Sequence, residues 1–148
     1  MKNYRKTVVG VVYQGKEFLL VEKPHWGNWW DFVQGGVNDR ESLENALVRE
    51  LKEELGTNEF GKPVYTNITQ RRLFSPEALK HYSDRGFIGK ELFYFVVPFI
   101  GDKNEILLGD DLSDKKWCSE TELIHFLYKE QIEEGKQVIQ FMKDNKLI

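Results

Sequence analysis

The stretch from Asn38 to Leu55 most constrains what this chain can become: a helical apolar repeat carries an acidic cluster that packing does not require. With Leu43 set at zero and about 100° per residue, Leu47, Leu51 and Leu55 fall near 40°, 80° and 120°, and Val48 near 140°. A buried stripe of these residues is predicted, with Asn45, Arg49 and Lys52 on the solvent face. Glu53, Glu50 and Glu54 project to about 280°, 340° and 20°, so they share one face. Glu54 thereby falls between Leu43 and Leu47, where burial alone would select an apolar side chain. Carboxylates this close repel, by about 1 kcal/mol per pair at 4 Å in water and by more where solvent is displaced. A divalent cation relieves that cost. Mg²⁺ takes a few carboxylates and leaves positions for water and phosphate oxygens. The alternative is a solvated charge run, and the position of Glu54 favours the metal. Arg49, one turn before Glu53, is placed to hold it by an ion pair.

The ends of this helix carry their own signals. Asn38 is the predicted N-cap, with Glu41 completing a capping box. Gly56 suits the left-handed residue at the C-terminus. Gly35-Gly36 lies between a strand end and the helix start, where glycines allow close backbone approach to a ligand and positive φ. The helix N-terminus adds a field that favours phosphate. An ordinary tight turn is the other reading of the glycine pair; the glutamates on the following helix favour phosphate.

The rest of the chain reads as a hairpin (about Tyr4–Tyr13 and Glu17–Lys23), a strand at Trp29–Val33, and long strands at Val64–Phe74 and Phe87–Ile100. An irregular segment at Ser75–Gly86, an acidic loop at Asp102–Asp114 and a short strand at Lys116–Cys118 follow, then helices at Glu120–Lys129 and Ile132–Lys143. Strands with an inserted helix, then further helices, predict a sheet covered by helices. At 148 residues, one domain spanning 1–148 is expected. The 14% aromatic content and net charge of −3 exclude a disordered chain and a protein that coats nucleic acid, but leave room for a local basic pocket. The longest apolar run, Leu92–Ile100, is interrupted by Pro98 and is too short to span a membrane. Val8–Val12, which follows Lys2, Arg5 and Lys6, reads as a first strand and not as a leader. Cys118 is the only cysteine, which excludes a disulfide framework and a thiolate metal cluster and fits a reducing cytoplasm.

Gly35-x5-Glu41-x7-Arg49-Glu50-Leu51-Lys52-Glu53-Glu54-Leu55-Gly56-Thr57 resembles the Nudix box, G-x5-E-x7-R-E-U-x-E-E-x-G-U with U aliphatic. Thr57, in the last aliphatic position, is the one departure. The resemblance implies an α+β fold, an α/β/α sandwich around a mixed β-sheet. It also implies Mg²⁺- or Mn²⁺-dependent hydrolysis of a nucleoside diphosphate linked to another group. By position, Glu50, Glu53 and Glu54 would be metal ligands, with the backbone carbonyl of Gln34 or Gly35 as a further one. Glu41 would be structural support, and Arg49 would orient a glutamate. The likeness extends further. Trp30–Val37 is similar to the W-Q-F-P-Q-G-G-I stretch of bacterial RNA pyrophosphohydrolases and of the related dinucleoside polyphosphate hydrolases, with Val33 in place of proline. Tyr4-Arg5 and Val9–Val12 resemble that branch's opening without its asparagine. Gly89–Phe95 resembles its later strand without the glutamines.

The resemblance implies either Glu53 or Glu54 as base as well as ligand. Asp111, six residues before Trp117, falls where the branch has a glutamate and is a second candidate; a plain acidic loop is its equal alternative. Arg5 matches a phosphate-handling position, and Lys23 and Lys90 are further phosphate candidates. Arg71-Arg72 is a basic pair of unassigned facing. Trp26, Trp29 and Trp30 read first as core or loop anchors, and Tyr82 and Phe87 flank a loop; all five are candidates to stack on a base, with none singled out. His25, His81 and His125 show no ligand spacing. The expected activity is cleavage of a pyrophosphate bond in a nucleoside polyphosphate. Dinucleoside polyphosphates are favoured over 5′-phosphorylated RNA ends, since no basic run beyond Arg71-Arg72 suggests an RNA track. A sanitiser of damaged nucleoside triphosphates is the rival enzyme. A catalytically silent nucleotide sensor is the rival of another class, disfavoured by the intact glutamates. A monomer or homodimer without a membrane partner is expected.

Overall fold

The computed structural model describes residues 3–24, 29–82 and 85–148, apart from the side chain of His81. His25 and Trp26, named above, lie outside the described residues.

Strand β1 (Asn3–Gln14) runs through the middle of the sheet. Its Val8 and Val12 belong to one apolar cluster and Val9 and Val11 to another, and all four are fully buried. An unbroken apolar run is therefore what a strand covered on both faces requires. A turn with Gly15 at φ 59° leads into β2 (Glu17–Lys23), antiparallel to the end of β1. β3 (Trp29–Asp31) pairs with β2, and β4 (Val33–Gly36) lies antiparallel to β1. Helix α1 (Leu43–Leu55), β5 (Val64–Leu73) and the short helix α2 (Pro76–Tyr82) come next. β6 (Phe87–Pro98) returns parallel to β1 and antiparallel to β5. β7 (Asp114–Cys118) pairs with β2, and α3 (Glu120–Phe126) and α4 (Ile132–Asp144) close the chain.

The result is a seven-stranded mixed sheet between two helical layers. α1 packs Leu47, Leu51 and Leu55 against Val8, Val12, Phe95 and Val97 on one face. α3 and α4 pack Leu123, Val138 and Met142 against Val9, Val11, Leu92 and Tyr94 on the other. Each such leucine contributes roughly 1.5–3 kcal/mol by burial. This is the expected α/β/α sandwich. Gly10 lets α1 settle close to the sheet, since a Cβ there would stand 3.0 Å from Leu47 Cδ1. No helix among the described residues is long and apolar enough to cross a membrane.

Several expected details differ. The helix begins at Leu43, not Asn38, and its N-cap is Ser42, whose hydroxyl accepts from Asn45 N–H. Asn38 and Glu41 still pair, with Asn38 N–H donating to Glu41 Oε1 at 3.0 Å, but they close a turn that precedes the helix. The C-terminal reading holds: Gly56 sits at φ 64° and donates to Lys52 O. Val48 is half exposed, while Ala46 and Glu50 are buried. The buried face is thus rotated towards the glutamates, because β4 packs against that side of α1. The strand expected at Trp29–Val33 is two strands divided at Phe32. Gly35 and Gly36 do not break the chain; they end β4, paired with Val8 and Thr7. Neither has positive φ; among the described glycines only Gly15, Gly56 and Gly86 do. The capped helix start follows a further loop, so the phosphate field expected beside the glycine pair is not at that position.

Candidate active site

The glycine pair serves through the side chains it lacks. A Cβ on Gly35 would lie 1.9 Å from Glu50 Cδ, and one on Gly36 would lie 2.1 Å from Arg5 Nη2. Successive residues of a strand face opposite sides. The bare backbone of β4 thus admits a carboxylate from α1 on one face and a guanidinium from β1 on the other. Close approach, not positive φ, is what this position requires of glycine.

Arg49 ties the acidic helix to its surroundings. Its Nε and Nη2 donate to the two carboxylate oxygens of Glu41, both at 2.9 Å, Nη1 donates to Glu50 Oε1 at 2.8 Å, and Nη2 also donates to Gly36 O at 2.8 Å. One planar fork joins the loop before α1, the helix itself and the end of β4. These hydrogen bonds, with that of Asn38 N–H, push the Glu41 carboxyl down to about 2. Arg49 Nη1 also stands 3.5 Å from Glu53 Oε2, the pairing expected from the helix spacing. The glutamate it grips more closely is Glu50.

A cleft of about 510 Å³ gathers Arg5, Lys23, Gly35, Glu50, Glu54, Lys90 and Asp111. Seven residues singled out from the sequence therefore share one concavity. Glu53 stays outside its lining, with 56% of its side chain exposed, and Glu41 and Arg49 stand behind it. Burial raises the Glu50 carboxyl despite Arg49. Burial, and then the charge of Glu50, push Glu54 up to about 7, with Asp111 and Glu53 adding to the rise and Lys23 opposing it. Among the described residues, no three acidic, His or Cys side chains converge as a preformed metal cage. What the site does show is desolvated, mutually repelling carboxylates beside a backbone that only glycine can expose. An all-oxygen donor set of this kind fits a divalent cation of the Mg²⁺ or Mn²⁺ type.

The opposite wall comes from strand register. Arg5 of β1 sits across from Lys90 of β6, and Lys90 across from Arg72 of β5. Three cations thus lie side by side across three strands, an arrangement that repels unless an anion answers it. Beside them, buried Asp31 accepts from Phe32 N–H and from Gln34 Nε2, both at 2.8 Å. The partners of Gln131 orient its amide. Its nitrogen faces Asp31, and its oxygen accepts from the Tyr94 hydroxyl at 3.2 Å and from Arg72 Nη2 at 3.0 Å. Burial pushes Lys90 down to about 7, helped by nearby Lys23, and burial lowers Lys23 as well. Burial raises Asp31.

Sequence reasoning left Arg72 unassigned and missed Asp31 and Gln131. Their grouping depends on which strands pair and in what register, for which the chain offers no local signal. The aromatics divide clearly. Trp29 stacks on Tyr128, with centroids 4.1 Å apart. Trp30 carries Lys116 Nζ at 4.2 Å over its ring. Tyr82 lines the cleft with Arg5 above it, and His125 packs edge-on to Phe126.

Comparison with known proteins places this arrangement. A NUDIX domain model matches residues 3–141. An RNA pyrophosphohydrolase of Pasteurella multocida is 32% identical over 122 residues, covering 78% of this chain and 62% of that protein. The chain thus spans about three fifths of that curated relative's length. Among solved structures, an E. coli dihydroneopterin triphosphate pyrophosphohydrolase superposes with a TM-score of 0.77 at 17% identity, covering 92% of this chain and 97% of the other. A C. elegans Ap4A hydrolase in a binary complex superposes with a TM-score of 0.72 at 20% identity, covering 95% and 98%. At these identities the structural likeness speaks for the fold.

Proposed function

The chain belongs to the Nudix family, and on that premise we propose that it is a divalent-metal-dependent pyrophosphohydrolase that cleaves a pyrophosphate bond in nucleoside polyphosphates. One observation carries the reading: α1 carboxylates and three cations, Arg5 of β1, Lys23 of β2 and Lys90 of β6, meet across the Gly35-Gly36 backbone in a single cleft. In this reading Glu50, Glu53 and Glu54 hold Mg²⁺, or Mn²⁺, with the carbonyl of Gly35 or Gln34 as a further ligand. The ion supplies positive charge for phosphate oxygens and acidifies water. Arg5, Lys23 and Lys90 bind the polyphosphate and offset charge that develops on the leaving group. Glu54 is the favoured base for the attacking water, with Glu53 and Asp111 as the alternative bases. Arg49 and Glu41 fix Glu50 in place. The domain comprises residues 1–148 and works in a reducing cytoplasm, where buried Cys118 stays a free thiol.

Dinucleoside polyphosphates are the favoured substrates, since the net charge is negative and no basic run beyond Arg71-Arg72 suggests an RNA track. The second reading is a 5′-phosphorylated RNA end, supported by the relative's name. The test offers diadenosine tetraphosphate and a short 5′-triphosphate RNA side by side with Mg²⁺, then Mn²⁺, and analyses the products. ATP with AMP would establish the first substrate, and pyrophosphate or phosphate released from RNA the second. Glu54→Gln should lower kcat by about 10²–10⁴-fold. Turnover that persists without divalent metal, or no turnover of either substrate, would overturn the proposal.

A further inference from the structure

A second cleft, of about 400 Å³, adjoins the first and shares Lys23, Lys90 and Tyr82 with it. Its character is different. Two stacked aromatic pairs line it: Trp29 on Tyr128, and Phe74 on Tyr82 with centroids 4.7 Å apart. Aromatic walls of this kind suit a flat ring, and the cations at the boundary suit an anion attached to that ring.

The polar groups of this cleft narrow the choice of ring. Arg72 Nε is buried and makes no hydrogen bond, although Arg72 Nη2 donates to Gln131. A buried N–H without a partner is rare in a native structure and needs an acceptor. Glu130 Oε2 forms an ion pair with Arg72 Nε at 3.9 Å, too long for a hydrogen bond, and the Glu130 side chain, which also meets Tyr128, is 47% exposed. Both residues line the aromatic cleft, so a small turn of the Arg72 guanidinium towards a ligand would bring its unspent donor and the Glu130 carboxylate to one edge. Guanine presents a matching edge: O6 accepts from a guanidinium, while N1–H and N2–H together donate to both oxygens of a carboxylate. Adenine offers such a pair only one donor and one acceptor.

We infer that this second cleft is a nucleobase site that prefers guanine, with Arg72 reading O6 and Glu130 reading N1–H and N2–H. The inference rests on the proposed function for the attached phosphates, and on the aromatic cleft and the unspent Arg72 donor for the base.

The test compares diguanosine with diadenosine tetraphosphate in steady-state kinetics, and GMP with AMP in direct titration of the metal-free protein. Guanine should be favoured by about tenfold or more in kcat/KM, with the difference in KM. GMP should bind more tightly than AMP. Glu130→Gln, at a half-exposed position, replaces one acceptor oxygen with a donor and should bring the guanine-to-adenine ratio towards one. Equal kcat/KM for the two dinucleotides, with a ratio unmoved by Glu130→Gln, would overturn the base site and leave the hydrolase reading standing. Tighter GMP binding without hydrolysis of either dinucleotide or of the 5′-triphosphate RNA, with Mg²⁺ or Mn²⁺, would support the base site and overturn the hydrolase reading.

Discussion

The two walls of the main cleft are built in opposite ways. The acidic wall comes from one helical turn of α1, where Glu50 and Glu54 are four residues apart and Arg49 steadies Glu50 from the same helix. The cationic wall comes from Arg5 and Lys90 on two strands far apart in the chain, aligned by the pairing of β1 with β6, while Arg72, next in the row on β5, lines the adjoining cleft. A local wall keeps its own spacing wherever the helix forms. A wall set by register fails if a single strand slips, because a one-residue shift turns every side chain to the other face. The glycine pair is where the two walls meet, and it separates them experimentally.

Gly35→Ala should strike the acidic wall alone. Its Cβ must displace the Glu50 carboxylate, and a misplacement of about 1 Å can cost on the order of 100-fold in kcat. Gly36→Ala should strike the cationic wall, displacing the Arg5 guanidinium and raising KM more than it lowers kcat. Steady-state kinetics on both variants test the division. The same split between kcat and KM for both would mean that the walls do not act separately.

Arg49→Lys keeps the charge but loses the fork that binds Glu41, Glu50 and Gly36 O together. A stability loss of about 1–3 kcal/mol is expected in chemical denaturation, together with reduced kcat. Unchanged stability would mean that Glu41 and Glu50 are held by their own backbone.

The walls should also respond oppositely to pH. The native carboxyl of Glu54 lies above its ordinary value, at about 7 against 4.5. Its contribution to stability is therefore fully present below about 4.5 and is lost as pH rises through about 7. Lys90 lies below its ordinary value, at about 7 against 10.5, so its contribution is present above about 10.5 and is lost as pH falls through about 7. These two groups together leave the metal-free protein weakest near neutrality. Thermal melts from pH 5 to 9 should show a shallow minimum in Tm there. Glu54→Gln should flatten the acidic limb, and added Mg²⁺ should raise Tm most where Glu54 is ionised. A monotonic Tm, unaffected by Glu54→Gln, would refute the strained-wall account.

The smallest effect tests the outer face of the acidic helix. Val48→Lys should change stability by no more than about 0.5 kcal/mol, since the residue is half exposed. Leu51→Ala, one turn fraction away on the buried face, should cost about 2–5 kcal/mol. A large cost at Val48 would restore the stripe that helical projection alone suggested.

That projection shows how far the sequence could be read. It identified α1, the shared face of Glu50 and Glu54, and the oddity of a glutamate among leucines, because a helix encodes its geometry in a fixed local period. It misplaced Val48 and the N-cap. The orientation of the helix depends on what β4 presses against it, and Ser42 competes with Asn38 for the same capping role. The Gly35-Gly36 pair was legible as a point of close approach, but its place at the end of a paired strand was not, since pairing with Thr7 and Val8 is a long-range fact.

The sequence by itself determined the first strand at Val8–Val12, the acidic helix with its Gly56 stop, and the Nudix pattern that contains that helix, all of which depend on periodicity or fixed local spacing. Only the tertiary structure decided that Arg72 joins Arg5 and Lys90, that Asp31 is buried beside them with Gln131, and that a second, aromatic cleft adjoins the first. Those groupings arise from strand order and register, which are set by burying both faces of the sheet at once, and no local stretch of residues encodes them.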